Sequence, residues 1–157
     1  MYSSEVSCEP LENDVNVAYP PLMTLTGYEL DETVVAPNSV LPLQLQWNIQ
    51  SATDMDYRVF VQLIDKDNPS ELLGSGDSTP KQTWYPSTSF VAGTCFNDLY
   101  TIQLMPDILA GEYDLLVGVY DANTGTRLNG QSDEAEYLLG GGYLITQAVT
   151  VDPTLEE

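Results

Sequence analysis

The stretch Gly111-Glu112-Tyr113-Asp114-Leu115-Leu116-Val117-Gly118-Val119-Tyr120-Asp121 constrains the fold more than any other part of the chain. Strand side chains alternate between two faces, so Tyr113, Leu115, Val117 and Val119 share one side and Leu116 and Tyr120 take the other. A strand apolar on both sides belongs in the middle of a sheet. The cleanest alternation lies earlier, where Leu41, Leu43, Leu45, Trp47 and Ile49 are interleaved with Pro42, Gln44, Gln46, Asn48 and Gln50. That segment has one apolar face and one wet face, and Trp47 reads as a core residue rather than a ligand platform.

Further strands are expected at 22–30, with a bulge at Gly27, and at 57–65, 97–104 and 143–151. In 57–65, Tyr57, Val59, Val61 and Leu63 face one way and Phe60 and Ile64 the other. Leu72-Leu73 reads as a short return strand. Turn signals fall at 31–39, at Asp65-Lys66-Asp67-Asn68-Pro69 and at Asp121 to Thr126, where Gly125 suits the left-handed position of a hairpin loop. Val15, Val17 and Tyr19 alternate briefly before Pro20-Pro21, so a strand there would lie at a sheet edge.

No helical stripe persists for three turns, which leaves seven to nine strands and an all-β chain. The run Asp107 to Tyr113 is a corner followed by a Tyr at the start of a strand. Its spacing resembles the tyrosine corner of Greek-key sandwiches, in which the hydroxyl bonds back to backbone a few residues upstream. The expected fold is therefore an antiparallel β-sandwich with Greek-key connections. Residues 1–20 read as an acidic, loosely ordered arm or edge strand, 21–152 as the sandwich, and 153–157 as an acidic tail. Residues 74–93 form a long Gly-, Ser-, Thr- and Pro-rich loop, and loops of that length are usually functional or run between sheets.

Composition narrows the function. The chain has 157 residues with 24 acids against four bases, Arg58, Lys66, Lys81 and Arg127, for a net charge of −20. That field repels phosphate backbones and anionic lipid headgroups, so neither nucleic acid nor a membrane surface is an expected partner. No apolar run approaches the roughly 18 residues of a membrane span, and no basic-then-apolar leader opens the sequence. The expectation is a soluble segment that does not insert into the membrane itself.

There is no histidine, which removes the commonest general base and the usual partner of a Ser or Cys nucleophile. Cys95 has nothing basic beside it in sequence to favour a thiolate. A carboxylate pair of the glycosidase kind stays open, but 24 acids make some close pair inevitable. Asp121-x-Asn123 begins like a calcium loop and then fails, with Gly125, Thr126 and Ser132 at positions five, six and twelve. Asp54 with Asp56, or Asp65, Asp67 and Asn68, could help hold Ca²⁺, though such clusters more often are solvated turns. No metal and no cofactor is expected. Cys8 and Cys95 are either bridged, which would stabilise by about 4.5 kcal/mol in an oxidising compartment, or two buried thiols.

Sugar binding is the stronger prospect. Trp84 and Tyr85, flanked by Gln82, Thr83, Ser87 and Thr88, offer aromatic faces for sugar rings and polar groups for hydroxyls. The competing reading is that Trp84 folds over the sandwich edge and covers core. Tyr137 and Tyr143 are weaker candidates of the same kind.

Taken together, Gly27-Tyr28-Glu29-Leu30, Leu43 to Trp47, Tyr57 to Asp65, Asp77 to Pro80, Gly111 to Asp121 and Thr124 to Leu128 resemble a bacterial immunoglobulin-like domain. That domain is found at the C-terminus of some polytopic membrane glycosyltransferases of the mannosyltransferase-like kind, and the resemblance spans residues 22–151. It implies an extracytoplasmic, accessory, non-catalytic module whose loops contact glycan or a protein partner, with catalysis in a membrane portion. A free-standing carbohydrate-binding module is the alternative, and a hydrolase with a carboxylate pair the third.

Overall fold

The computed structural model describes residues 11–30, 32–65, 68–75, 91–132, 138–139 and 141–154. Within them the chain forms ten strands and no helix: β1 (Asn13–Tyr19), β2 (Met23–Leu30), β3 (Val34–Val35), β4 (Val40–Ile49), β5 (Tyr57–Asp65), β6 (Asn68–Ser75), β7 (Cys95–Leu104), β8 (Gly111–Asp121), β9 (Leu138–Leu139) and β10 (Gly142–Val151). They make one large, mixed, strongly curled sheet in the order β1-β2-β4-β7-β6-β5-β8-β10-β3, with β9 paired to β10. The join between β6 and β7 is short, Gly74 opposite Leu104 and Ser75 opposite Gln103. By contrast β4 and β7 pair continuously from Val40–Gln103 to Asn48–Cys95.

Curling brings the inner faces of both ends of the sheet onto one core. Leu41, Leu43, Leu45, Trp47 and Ile49 of β4 share a buried cluster with Val59, Val61 and Leu63 of β5, Leu115, Val117 and Val119 of β8 and Ile145 and Val149 of β10. Each such aliphatic side chain contributes about 1.5–3 kcal/mol by leaving water. Tyr19 makes two contacts across the core: its hydroxyl on β1 donates to the Val117 carbonyl of β8 at 2.7 Å, and its ring meets Trp47 edge-on at 5.8 Å. At the same end, Ala18 and Gln131 exchange backbone hydrogen bonds of 2.9 and 2.8 Å, which ties the outermost strand to the segment after β8.

The local signals act as their chemistry dictates. The β2–β4 register shifts between Leu25 and Gly27, where the glycine lets β1 come close enough for the Asn13 carbonyl to lie 3.1 Å from where a Cβ would stand. At the corner before β8, the Tyr113 hydroxyl donates to the Leu109 carbonyl at 2.7 Å, four residues upstream, and pins the crossover from β7.

Five expectations need correction. The described residues hold ten strands, not seven to nine, because β3 and β9 are two-residue ladders too short to show any period. Val34 and Val35 lie inside the region read as a turn; what makes them a strand is β10, through Thr150 N–H to the Thr33 carbonyl and Asp152 N–H to the Val35 carbonyl. That pairing is parallel, so the sheet is mixed and not purely antiparallel. The return strand read at Leu72-Leu73 runs from Asn68 to Ser75, and β7 starts at Cys95, two residues before the alternation becomes legible.

Candidate functional site

The two long strands β5 and β8 pair in unbroken register from Tyr57–Asp121 to Ile64–Asp114. Since alternate residues face outward, Arg58, Phe60, Gln62 and Ile64 of β5 lie directly across from Tyr120, Gly118, Leu116 and Asp114 of β8. On this outer face Phe60, Ile64, Leu116 and Leu144 form a second buried cluster, with Tyr120 packed against it.

Gly118 explains how the face is built. It stands opposite Phe60 and has no side chain, so the aromatic ring lies against bare backbone; a Cβ at Gly118 would run into that ring. The hairpin after β8 then supplies the other wall. Gly125 takes a left-handed backbone (φ 78°) and donates to the Asp121 carbonyl at 2.7 Å, while Asn123 N–H donates to Asp121 Oδ1 at 2.9 Å. This tight return brings Arg127 alongside Tyr120 as an antiparallel bridge, fixed by Leu128 N–H to the Val119 carbonyl at 2.8 Å. The Arg127 guanidinium carbon sits 4.2 Å from the Phe60 ring centroid, a cation–π stack, and the Tyr120 ring is tilted 51° to Phe60 with centroids 6.2 Å apart.

Phe60, Gln62, Tyr120, Gly125 and Arg127 line an open cleft of about 240 Å³. Its chemistry is mixed: an aromatic wall, an amide that both donates and accepts, and a planar cation with five N–H donors. Such a set can hold a small polar ligand that has an apolar face. A second concavity of about 290 Å³, lined by Glu12, Asn13, Tyr28, Leu30, Thr33, Ile145, Thr146 and Ala148, brings no cation and no pair of rings. There burial, and then the Glu12 carboxylate, push the Tyr28 phenol above its ordinary range.

The interior holds a third polar group. Asp98 lies on the core side of β7 between Phe96 and Tyr100, and burial followed by the Asp98 charge pushes the Tyr100 phenol well above its ordinary range. Asp98 and Trp47 are the polar side chains that act on the Tyr100 hydroxyl, and among the described residues no hydrogen bond of good geometry reaches Tyr100 Oη or Trp47 Nε1. Trp47 and Tyr100 are sealed from solvent at 0% and 2% exposure, so the group offers a ligand no entry.

The sequence candidates are distributed differently. Trp84, Tyr85, Gln82, Tyr137 and Cys8 lie outside the described residues. Tyr143 is a correction: opposite Val117 on β10, it is part of the main core and presents no ring to a ligand. Trp47 is core. Cys95 is disulfide-bonded. Asp54, Asp56, Asp121 and Asn123 approach the same loop end, with Ala122 N–H on the Asp56 carbonyl, but among the described residues no group of three or more acidic or sulfur ligands could hold a metal.

Phe60, Gln62, Tyr120 and Arg127 were not singled out as a site by sequence reasoning. Two signals point to them: a glycine inside an otherwise bulky central strand, and one of only four bases directly after that strand's hairpin. In comparisons with known proteins, the chain matches no family model and no curated sequence.

Proposed function

We propose that the chain is an immunoglobulin-like β-sandwich acting as a non-catalytic, extracytoplasmic accessory module beside a glycan-handling membrane enzyme, and that it contacts glycan at the outer-face cleft of β5 and β8. The sandwich reading is supported by the two-residue join between β6 and β7, across which the curled sheet can be divided into β1-β2-β4-β7 and β6-β5-β8-β10-β3. It is supported further by a short early strand parallel to the last one and by the Tyr113 corner at the start of β8. The disulfide at Cys95 is in keeping with an oxidising compartment.

The observation that carries the glycan reading is the convergence of the partly buried Tyr120 ring, an amide and a guanidinium in one cleft, above the buried Phe60 ring on which the guanidinium stacks. Sugar rings present C–H faces to aromatics and hydroxyls to amide and guanidinium groups. A broad glycan array tests it. Wild type is expected to bind at least one glycan class, and Tyr120→Ala to lose that binding with its circular dichroism and melting temperature retained. Absence of binding across the array overturns the reading. Loss in Trp84→Ala with retention in Tyr120→Ala moves the site to the 82–85 stretch.

A further inference from the structure

Both arginines of the chain are on the face that carries the cleft. Arg127 lines it and stacks on Phe60; Arg58 is the register partner of Tyr120 and the outward residue next to Phe60 on β5. Four bases against 24 acids would not be expected to place two on one ladder step unless something there needs positive charge. For Arg58 the competing account, charge balance, rests on a loose pair with Asp56, at 3.4 Å and with side chains 45% and 36% exposed. Exposed pairs of that kind have little hold on either member.

Resting on the glycan reading above, we infer that the ligand is an acidic saccharide, with a sugar carboxylate accepting hydrogen bonds from Arg127 and Arg58, a ring face on Tyr120, and hydroxyls on Gln62. Stacking on Phe60 pre-orients the Arg127 guanidinium, whose planar donor fork matches a carboxylate with two parallel bonds. The net charge of −20 does not forbid it. Charges farther away than a Debye length, about 8 Å at physiological ionic strength, are largely screened, so acids beyond that range add little at the cleft.

The experiment is calorimetric titration of the whole chain with galacturonic, glucuronic and mannuronic acid oligosaccharides, each beside its carboxyl-reduced neutral counterpart, and with an oligoglutamate peptide. Hydrogen bonds to charged groups predict that at least one acidic sugar binds about tenfold or more tighter than its neutral partner. Arg127→Gln is expected to bring acidic and neutral forms within about twofold of each other. Arg58→Gln, at an exposed position that does not risk the fold, is expected to reduce the same preference severalfold. Equal binding of acidic and neutral forms overturns this inference and leaves the glycan reading standing. Oligoglutamate binding as tightly as the acidic sugars overturns it too, because the cleft would then read charge alone. No binding by any oligosaccharide, acidic or neutral, removes both readings.

Discussion

The outward faces of β4 and of β5 with β8 are built from neighbouring parts of the same curled sheet and could hardly differ more. Outward from β4 stand Pro42, Gln44, Gln46 and Asn48, and beside them Asn97, Thr101 and Gln103 of β7; Thr26 of β2 donates to Gln46 Oε1 at 2.8 Å and Gln46 Nε2 to Asn97 Oδ1 at 3.1 Å. Outward from β5 and β8 stand Phe60, Ile64 and Leu116, all below 5% exposed. The first face spends its polar groups on a lateral ladder in water. The second buries apolar surface and places a stacked cation and a half-buried tyrosine at its end. Water competes for every polar group on the first face, whereas aromatic walls on the second shed water and strengthen the contacts a ligand makes. The contrast teaches that the proposed recognition site lies where the sheet is apolar on both sides.

Substitution of one outward residue on each face is the strongest attempt to break this contrast. Phe60→Ala removes a ring held between Gly118 and Arg127 and is expected to cost about 3–4 kcal/mol in chemical denaturation. Gln44→Ala, on the wet face, should stay within about 0.5 kcal/mol. Comparable losses at the two positions would mean that the faces are energetically alike.

Alkaline titration asks whether the two parts nonetheless unfold as one. Burial holds the phenols of Tyr19 and Tyr100 protonated far above the ordinary tyrosine range. The unfolded chain releases those protons near pH 10 and the folded chain does not, so raising the pH favours unfolding. Stability is expected to be unaffected by these groups below pH 10 and to fall above it by about 1.4 kcal/mol per pH unit for each phenol. Because Tyr19 reaches from β1 to Val117 of β8, tyrosine and tryptophan signals should report a single transition; two separate transitions would divide the molecule at the β6–β7 join.

The smallest effect sharpens the contrast at the crossover that links β7 to β8. Tyr113→Phe keeps the ring and loses only the hydrogen bond to the Leu109 carbonyl, and is expected to cost about 1 kcal/mol in thermal or chemical unfolding. No loss would show that the corner is held by packing alone.

Much of this architecture was legible because alternation is a local property. Leu41 to Ile49 and Tyr113 to Val119 show their inner faces directly, since each apolar residue is two positions from the next. The turn at Gly125 and the bulge at Gly27 were legible for a related reason: only a residue without a Cβ suits them. The candidate site was half legible. Phe60 and Tyr120 could be assigned to an outward face, but nothing along the chain says that Phe60 lies across Gly118 or that Arg127 returns over it. Tyr143 shows the converse, an aromatic residue offered as a ligand contact that burial against the core withdraws.

The sequence by itself determined an all-β chain, its long strands, the corner tyrosine and a strongly negative surface, because side-chain period and charge are written residue by residue. The tertiary structure alone decided the parallel pairing of Val34-Val35 with β10, the curl that unites the inner faces in one core, and the meeting of Phe60, Gln62, Tyr120 and Arg127. These depend on hydrogen bonds and contacts between residues far apart in the chain, and such partners are chosen by the folded sheet as a whole.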